Sequence, residues 1–293
     1  MRFRLAAIVA ALTVIVLPLA LGACGDDDKA EAKPAVHTDF AAEKFSDSTT
    51  IDNKYSPLEP GTQYVFEGRS NRGQGRLPHQ AIFTVTDLVK EVDGVRTVVL
   101  WDRDINNGKL LEGELAMWAQ DDDGNVWLMG EYPEEYDEHE RFEAAPDTWL
   151  SGVQRAQAGI MMRTDPKTGT PSYRQGLAPT IGFADVARVE QTDQKNCVPT
   201  GCYEDVVVTR ETNPEEPTDG FQLKYNAPGV GTIRAAPRGG KEKEVLVLIK
   251  IRKLNPKQMD EVRREATKLD NRAYRTRAKV WGDTPPVARR PGA

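Results

Sequence analysis

The densest set of hard oxygen donors in the sequence is Asp121, Asp122, Asp123 and Asn125. Closely spaced carboxylate and amide oxygens suit calcium. The order required of a calcium loop is not met, because counting from Asp121 puts Gly124 fourth and Val126 at the sixth place, where glycine is needed. The four residues read instead as a hairpin turn with acidic side chains in water. The run from Glu131 to Glu143 carries many carboxylates. A facing pair there would suit glycoside hydrolysis, but such a run reads first as a solvated loop. The three histidines are His37 in a polar stretch, His79 after Pro78 near the start of a strand, and His139 in the acidic run. No Ser-His-Asp order with its motif context and no Gly-x-Ser-x-Gly elbow is present. Gly229-Val230-Gly231 is too short for a phosphate loop and lacks a following helix signal. The sequence therefore points away from an enzyme, and no catalytic residue or cofactor is expected.

The N-terminus carries a clearer message. Arg2 and Arg4 precede an apolar run from Leu5 to Leu21 that ends in small residues. A positive start, an apolar middle and a small-residue end mark a signal peptide. The run closes as Leu21-Gly22-Ala23-Cys24, which resembles the bacterial lipobox. That resemblance implies cleavage before Cys24 and a thioether-linked diacylglycerol on its sulfur. Each buried methylene contributes about 0.8 kcal/mol, and two or three acyl chains hold where one does not. An uncleaved transmembrane helix is the rival reading. The polar break Gly25-Asp26-Asp27-Asp28 argues against it and suits a tether.

An exported chain meets oxidising conditions, where the remaining cysteines, Cys197 and Cys202, form an even pair. Pro199 and Gly201 between them signal a turn, and a disulfide across the base of a hairpin fits the reach of the bond. No further Cys or His lies near enough to complete a four-ligand metal site, so no metal is expected. Trp118 and Trp127 flank the Asp121–Asn125 turn, and Tyr225 lies in a later strand. Aromatics on a sheet face can line a cleft, which makes these three the candidate ligand-binding residues. The competing reading is ordinary core. With the turn centred on Asp122 and Asp123, Trp118 and Trp127 are expected nearly opposite each other on paired strands.

The elements that would position these residues are mostly strands. Alternating or β-branched segments occupy Thr62–Gly68, Gln80–Val92, Gly94–Asp102, Leu110–Gln120 and Asn125–Tyr132. Asp93-Gly94 joins two of them and is a strong hairpin signal. Later segments are Ala184–Gln191, Glu204–Glu211, Phe221–Asn226, Gly231–Ala235 and Glu242–Ile251. Their even spacing predicts a mainly β fold: an antiparallel barrel or sandwich, or an open half-barrel. Thr148 to Gly159 reads as short helical turns. Asn255-Pro256 is a helix start, followed by Met259, Val262, Ala266, Leu269 and Ala273 at spacings of three and four. This predicts a C-terminal α-helix to about Arg277 with a loose tail from Pro285. The expected organisation is a signal peptide over 1–23, a lipidated disordered tether over 24–50, a β domain over 51–254, and a basic helix and tail over 255–293.

The net charge is −6 and is unevenly spread. From Lys250 onward there are 13 basic and 5 acidic residues, so the body before it is strongly acidic. An acidic body argues against nucleic acid as a partner. The basic end could meet anionic lipid or wall polymer, fold back on the body, or be a solvated helix face.

Several segments resemble a family of uncharacterised bacterial secreted proteins and lipoproteins. They are Asn53-Lys54-Tyr55-Ser56-Pro57-Leu58 with Pro60-Gly61, Met117-Trp118-Ala119-Gln120-Asp121, Gly124-Asn125-Val126-Trp127 with Gly130-Glu131, Ala158-Gly159-Ile160-Met161-Met162, Ser172-Tyr173-Arg174-Gln175, and Lys224-Tyr225-Asn226-Ala227-Pro228-Gly229-Val230-Gly231. The match spans roughly Asn53 to Val247 and leaves out the C-terminal helix. It implies a β fold and an extracytoplasmic address, and it supplies no reaction. The sequence thus predicts a lipoprotein held at the membrane by its lipid, outside the cytoplasm, acting as a binding module for a hydrophobic or polymeric envelope ligand. A structural or interaction protein of the cell envelope is the alternative.

Overall fold

The structure is a computed structural model and describes residues 36, 38–71, 75–215, 218, 220–240 and 244–290. Cys24, His37 and the whole expected signal segment lie outside the described residues.

Five long strands open the domain: β1 (Thr62–Asn71), β2 (Arg76–Val92), β3 (Val95–Asn106), β4 (Lys109–Gln120) and β5 (Val126–Tyr136). Hairpins join β2 to β3 and β3 to β4. The first turns at Asp93 and Gly94, both with positive φ, which is the backbone a two-residue hairpin needs. Five short strands follow: β6 (Phe142–Ala144), β7 (Trp149–Leu150), β8 (Gln157–Met162), β9 (Tyr173–Arg174) and β10 (Gly176–Leu177). Then come β11 (Val186–Val198), β12 (Gly201–Thr212), β13 (Phe221–Ala227), β14 (Gly231–Arg238) and β15 (Val245–Lys253). The chain ends in α1 (Pro256–Thr276), α2 (Ala278–Trp281) and β16 (Ala288–Arg289).

All the named strands form one antiparallel sheet, in the order β10-β8-β5-β4-β3-β2-β1-β15-β14-β13-β12-β11-β9, with β6, β7 and β16 attached off this path. The mainly β class, the antiparallel pairing and the C-terminal helix are as the sequence predicts. The sheet does not close: β10 and β9 end the path and do not pair with each other. Yet Gln175 alone separates them in the chain, so the two ends of the sheet meet at a seam one residue wide. Gln175 is buried, its N–H donates to Asp185 O at 2.7 Å, and its Nε2 donates to Glu211 Oε1 at 3.0 Å. Gly159 on β8 makes the seam possible, because a Cβ there would stand 2.3 Å from the carbonyl carbon of Gln175.

Both faces of β3, β4 and β5 are covered. On one face Val99, Leu115, Met117 and Met129 pack against Val262, Ala266, Leu269 and Ala273 of α1 and against Trp281. On the other face Val98, Leu100, Ala116 and Leu128 point into the curve of the sheet. Strands buried on both faces read as near-continuous apolar runs, which is what Val98-Val99-Leu100-Trp101 is. The helix begins with a reciprocal cap: Gln258 N–H donates to Asn255 Oδ1 and Asn255 N–H donates to Gln258 Oε1, each at 3.0 Å. Its buried stripe is the one read from the sequence, with Asp270 added.

Four expectations need correction. Residues 38–50 belong to the expected tether, but Phe40 and Phe45 pack on Trp127, Ser48 and Thr49 are buried, and a short 3-10 turn spans Ala42–Lys44. Two aromatics within one polar stretch suffice to bind it to the sheet. Thr148–Gly159 holds β7, a turn and the start of β8 rather than helical turns, because its apolar residues pair with the edge of β5. The Glu131–Glu143 run is not all solvated loop: β5 continues through Tyr136, and Glu134 is fully buried against Arg272 of α1. The tail from Pro285 is pinned, since Pro285 O accepts from Lys90 Nζ at 2.8 Å and β16 pairs with β2.

Candidate functional site

The inward face of the curved sheet holds a cleft of about 190 Å³. Its apolar side is built from β1, β2, β4 and the segment before β11, by Tyr64, Phe66, Phe83, Trp118, Ile181 and Phe183. Phe66 and Phe83 pack at a tilt across β1 and β2 with ring centres 5.1 Å apart. Phe183 lies 5.2 Å from Trp149. The residues alternate as strand geometry requires: Leu100 and Asp102 of β3, and Glu114, Ala116 and Trp118 of β4, all line the cleft.

The other side is acidic. Asp102 and Glu114 are direct cross-strand partners and are 6% and 7% exposed. Asp102 Oδ1 has no hydrogen-bond partner. Burial, reinforced by repulsion from Glu131 and Asp104, holds the Asp102 carboxyl well above the usual range. Burial, with repulsion from Glu131 and Asp102, does the same to Glu114. Glu131 Oε2 accepts from Trp149 Nε1 at 2.9 Å. Lys224 is the one basic side chain among the described lining residues, and it faces Glu211 at 2.7 Å. Burial alone would raise Glu211, but Lys224 outweighs it and leaves the carboxyl below its ordinary value. Lys224 is thereby held by Glu211, and its attraction for Asp102 does not offset the burial of that carboxyl. At the far end of the acidic side, Glu244 reaches a buried histidine, His79. Burial pulls His79 down, but the carboxylates of Asp104 and Glu244 outweigh it and raise the imidazole to about 9.

The sequence-predicted residues divide. Trp118 lines the cleft, and its Nε1 is a buried donor without a partner. Trp127 does not face it. A register shift between Met117 and Trp118 pairs Trp118 with Leu128 and Trp127 with Ala119. Residues opposite each other share a face, and a one-residue slip reverses the face, so the two tryptophans point to opposite sides of the sheet. Trp127 packs on Phe40 and Phe45 and donates from Nε1 to Asp121 Oδ2 at 2.7 Å. Tyr225 is also absent from the cleft lining. It sits on β13 between Val208 and Arg234, with the Arg234 guanidinium 5.5 Å from its ring. Cys197 and Cys202 form a disulfide across the β11–β12 hairpin, at directly paired positions with Cα atoms 4.0 Å apart. The Asp121–Asn125 cluster is a turn: Asp121 accepts from Asn125 N–H and Trp127, while Asp122 accepts from the backbone and hydroxyl of Ser46.

The sequence does not single out Asp102 or Glu114, and Glu131 enters it only as the start of the acidic run. The available signal was an acidic residue on the inward phase of an otherwise apolar strand, as in Leu100-Trp101-Asp102 and Glu114-Leu115-Ala116. Fold and cleft together define a wrapped antiparallel-sheet protein with an internal, amphipathic concavity.

No family model matches the chain, and no curated protein matches it. Among solved structures the chain is similar to a protein from Bacteroides fragilis described as exported and as having a YmcC-like fold, at 15% identity and a TM-score of 0.37, over 69% of this chain and 100% of that one. It is also similar to a protein from Parabacteroides distasonis described as a lipoprotein, at 12% identity and a TM-score of 0.37, over 68% of this chain and 99% of that one. Likeness at this level carries no argument about function. Among the described residues, no helix is long and apolar enough to cross a membrane.

Proposed function

We propose that this chain is an extracytoplasmic lipoprotein, anchored through Cys24, whose cleft binds an amphipathic envelope ligand without transforming it. The observation that carries the binding reading is the juxtaposition of Trp118, Phe83 and Phe183 with the buried cross-strand carboxyl pair Asp102 and Glu114. Apolar pockets with a few convergent polar groups are the usual form of a small-ligand site. A buried carboxylate lacking a partner costs about 1–3 kcal/mol until a donor reaches it. The ligand that suits both sides has an acyl or other apolar portion and a polar end rich in N–H or O–H donors, cationic or polyhydroxylated. The anchor rests on the Leu21-Gly22-Ala23-Cys24 pattern.

The test of the cleft uses the neutral fluorophore N-phenyl-1-naphthylamine, displaced by dodecylamine or by dodecanoate. The wild type should take up the dye and release it to dodecylamine at lower concentration than to dodecanoate. Trp118→Ala should bind the dye more weakly. Dye uptake equal in wild type and Trp118→Ala would overturn the binding reading. The test of the anchor is radiolabelled palmitate, which should tag the wild type and not Cys24→Ser.

A further inference from the structure

His79, Asp104 and Glu244 converge from three parts of the chain. His79 lies on β2 and pairs with Asn106 of β3 and with Gly68 of β1. Asp104 is on β3, opposite Ala81 and Glu112. Glu244 immediately precedes β15, which pairs with β1. The ladder β3-β2-β1-β15 therefore carries three polar side chains to one point at the end of the cleft. His79 Nε2 is 2.9 Å from Asp104 Oδ1 and 2.7 Å from Glu244 Oε1. The side chains of His79 and Asp104 are fully shielded and that of Glu244 is 14% exposed. One ligand atom from each residue can be chosen so that all three lie within 4.8 Å of one another.

We propose that these three residues bind a divalent transition-metal ion, of the Mn²⁺ or Fe²⁺ kind, at the end of the cleft. Donor atoms about 2.1 Å from a shared ion and at right angles to each other lie about 3.0 Å apart. The two measured separations are close to that chord. A tetrahedral ion at the same bond length would spread its donors to about 3.4 Å, so in either geometry the side chains part by a few tenths of an ångström on binding, and the choice of ion rests on the donor set. One imidazole and two carboxylates is a mixed nitrogen and oxygen set suited to borderline and hard divalent ions. Three protein donors leave the remaining positions to water or to a group entering from the cleft, which Glu244 also lines. Two carboxylates and a neutral imidazole carry the charge that balances a dication.

This inference stands apart from the amphiphile reading, because it is tested without any amphiphile. The probe is Mn²⁺ alone, added to the chelator-treated full chain in detergent, with free Mn²⁺ followed by electron paramagnetic resonance. The expected result is one ion bound per chain, accompanied by a rise in Tm. Glu244→Gln should weaken binding by at least about tenfold, and Asp104→Asn should do the same. Glu59→Gln, which removes a mostly exposed carboxylate paired with Lys253, should bind as the wild type does. Circular dichroism melts establish that each variant is folded, and Glu244, outside the strands and partly exposed, is the substitution the fold tolerates best. Failure of the wild type to bind at millimolar Mn²⁺, or undiminished binding in folded Glu244→Gln, would overturn the assignment.

Discussion

Lys90 Nζ lies 3.0 Å from Asp270 Oδ1, with both side chains completely shielded from water. The ammonium also donates to Tyr274 Oη at 3.0 Å and to Pro285 O at 2.8 Å, and it stands 4.8 Å from the Trp281 ring centre. Asp270 in turn accepts from Trp281 Nε1 at 2.8 Å and from Val287 N–H at 3.1 Å. The pair therefore joins β2, α1, α2 and the tail in a single polar knot inside an apolar contact. Removing one member of such a pair strands the other charge and costs about 3–5 kcal/mol. Asp270→Ala should lose that much stability in urea denaturation. Asp270→Asn, which keeps an acceptor, should lose less. A loss under about 1 kcal/mol for Asp270→Ala would contradict this account of how the helix is held.

The two tryptophans that flank one turn should respond to substitution in opposite ways. Trp127→Ala removes a buried ring from between Phe40, Phe45 and the sheet, and should cost about 3–5 kcal/mol while leaving dye binding intact. Trp118→Ala should weaken dye binding with a smaller effect on stability, since its ring borders the cleft. Paired denaturation and dye titrations of both variants decide the matter.

Asp102 predicts a pH dependence of unusual sign. Burial first, then the neighbouring carboxylates, raise its folded value above the ordinary one. In the unfolded chain the same group ionises in the usual carboxylate range. Its contribution to stability is therefore fully present below that range and is lost as pH rises through the raised folded value. Asp102→Asn should flatten this decline. Its Tm should exceed that of the wild type by about 2–4 °C at about pH 8 and match it at about pH 4. Equal Tm values at both pH values would show that the carboxylate carries no penalty.

The Cys197–Cys202 bond closes a loop with a sequence separation of only 5. Short loops restrict the unfolded chain least, and the chain-entropy estimate for this one is about 2 kcal/mol. Replacing both cysteines by serine should lower stability by no more than that and leave the far side of the sheet unchanged in hydrogen exchange. The native chain should show no reaction of either residue with a thiol reagent.

Local signals in the sequence carried the fold well. Asp93-Gly94 marked its hairpin because only a few residue types tolerate two successive positive φ values. Asn255-Pro256 marked the helix because cap and proline have geometric roles at one end only. The site was less legible, because it depends on register. The irregularity beside Trp118 sends that ring inward and Trp127 outward, and no residue type announces it. Lys90 and Asp270 are 180 positions apart, so neither announces the other in the sequence. His79, Asp104 and Glu244 likewise acquire meaning only once β1 pairs with β15. Phe40 and Phe45 are hard to read as anchors because their neighbours in the sequence are mostly polar or small.

The single-residue join at Gln175 has a consequence for how this sheet coexists with others. Each terminal strand, Tyr173–Arg174 and Gly176–Leu177, exposes at most two residues of ladder. Long unpaired margins recruit foreign strands and seed fibres. At the join itself the two end strands sit side by side, and a foreign strand seeking to extend the sheet there would find no more than a dipeptide on either side.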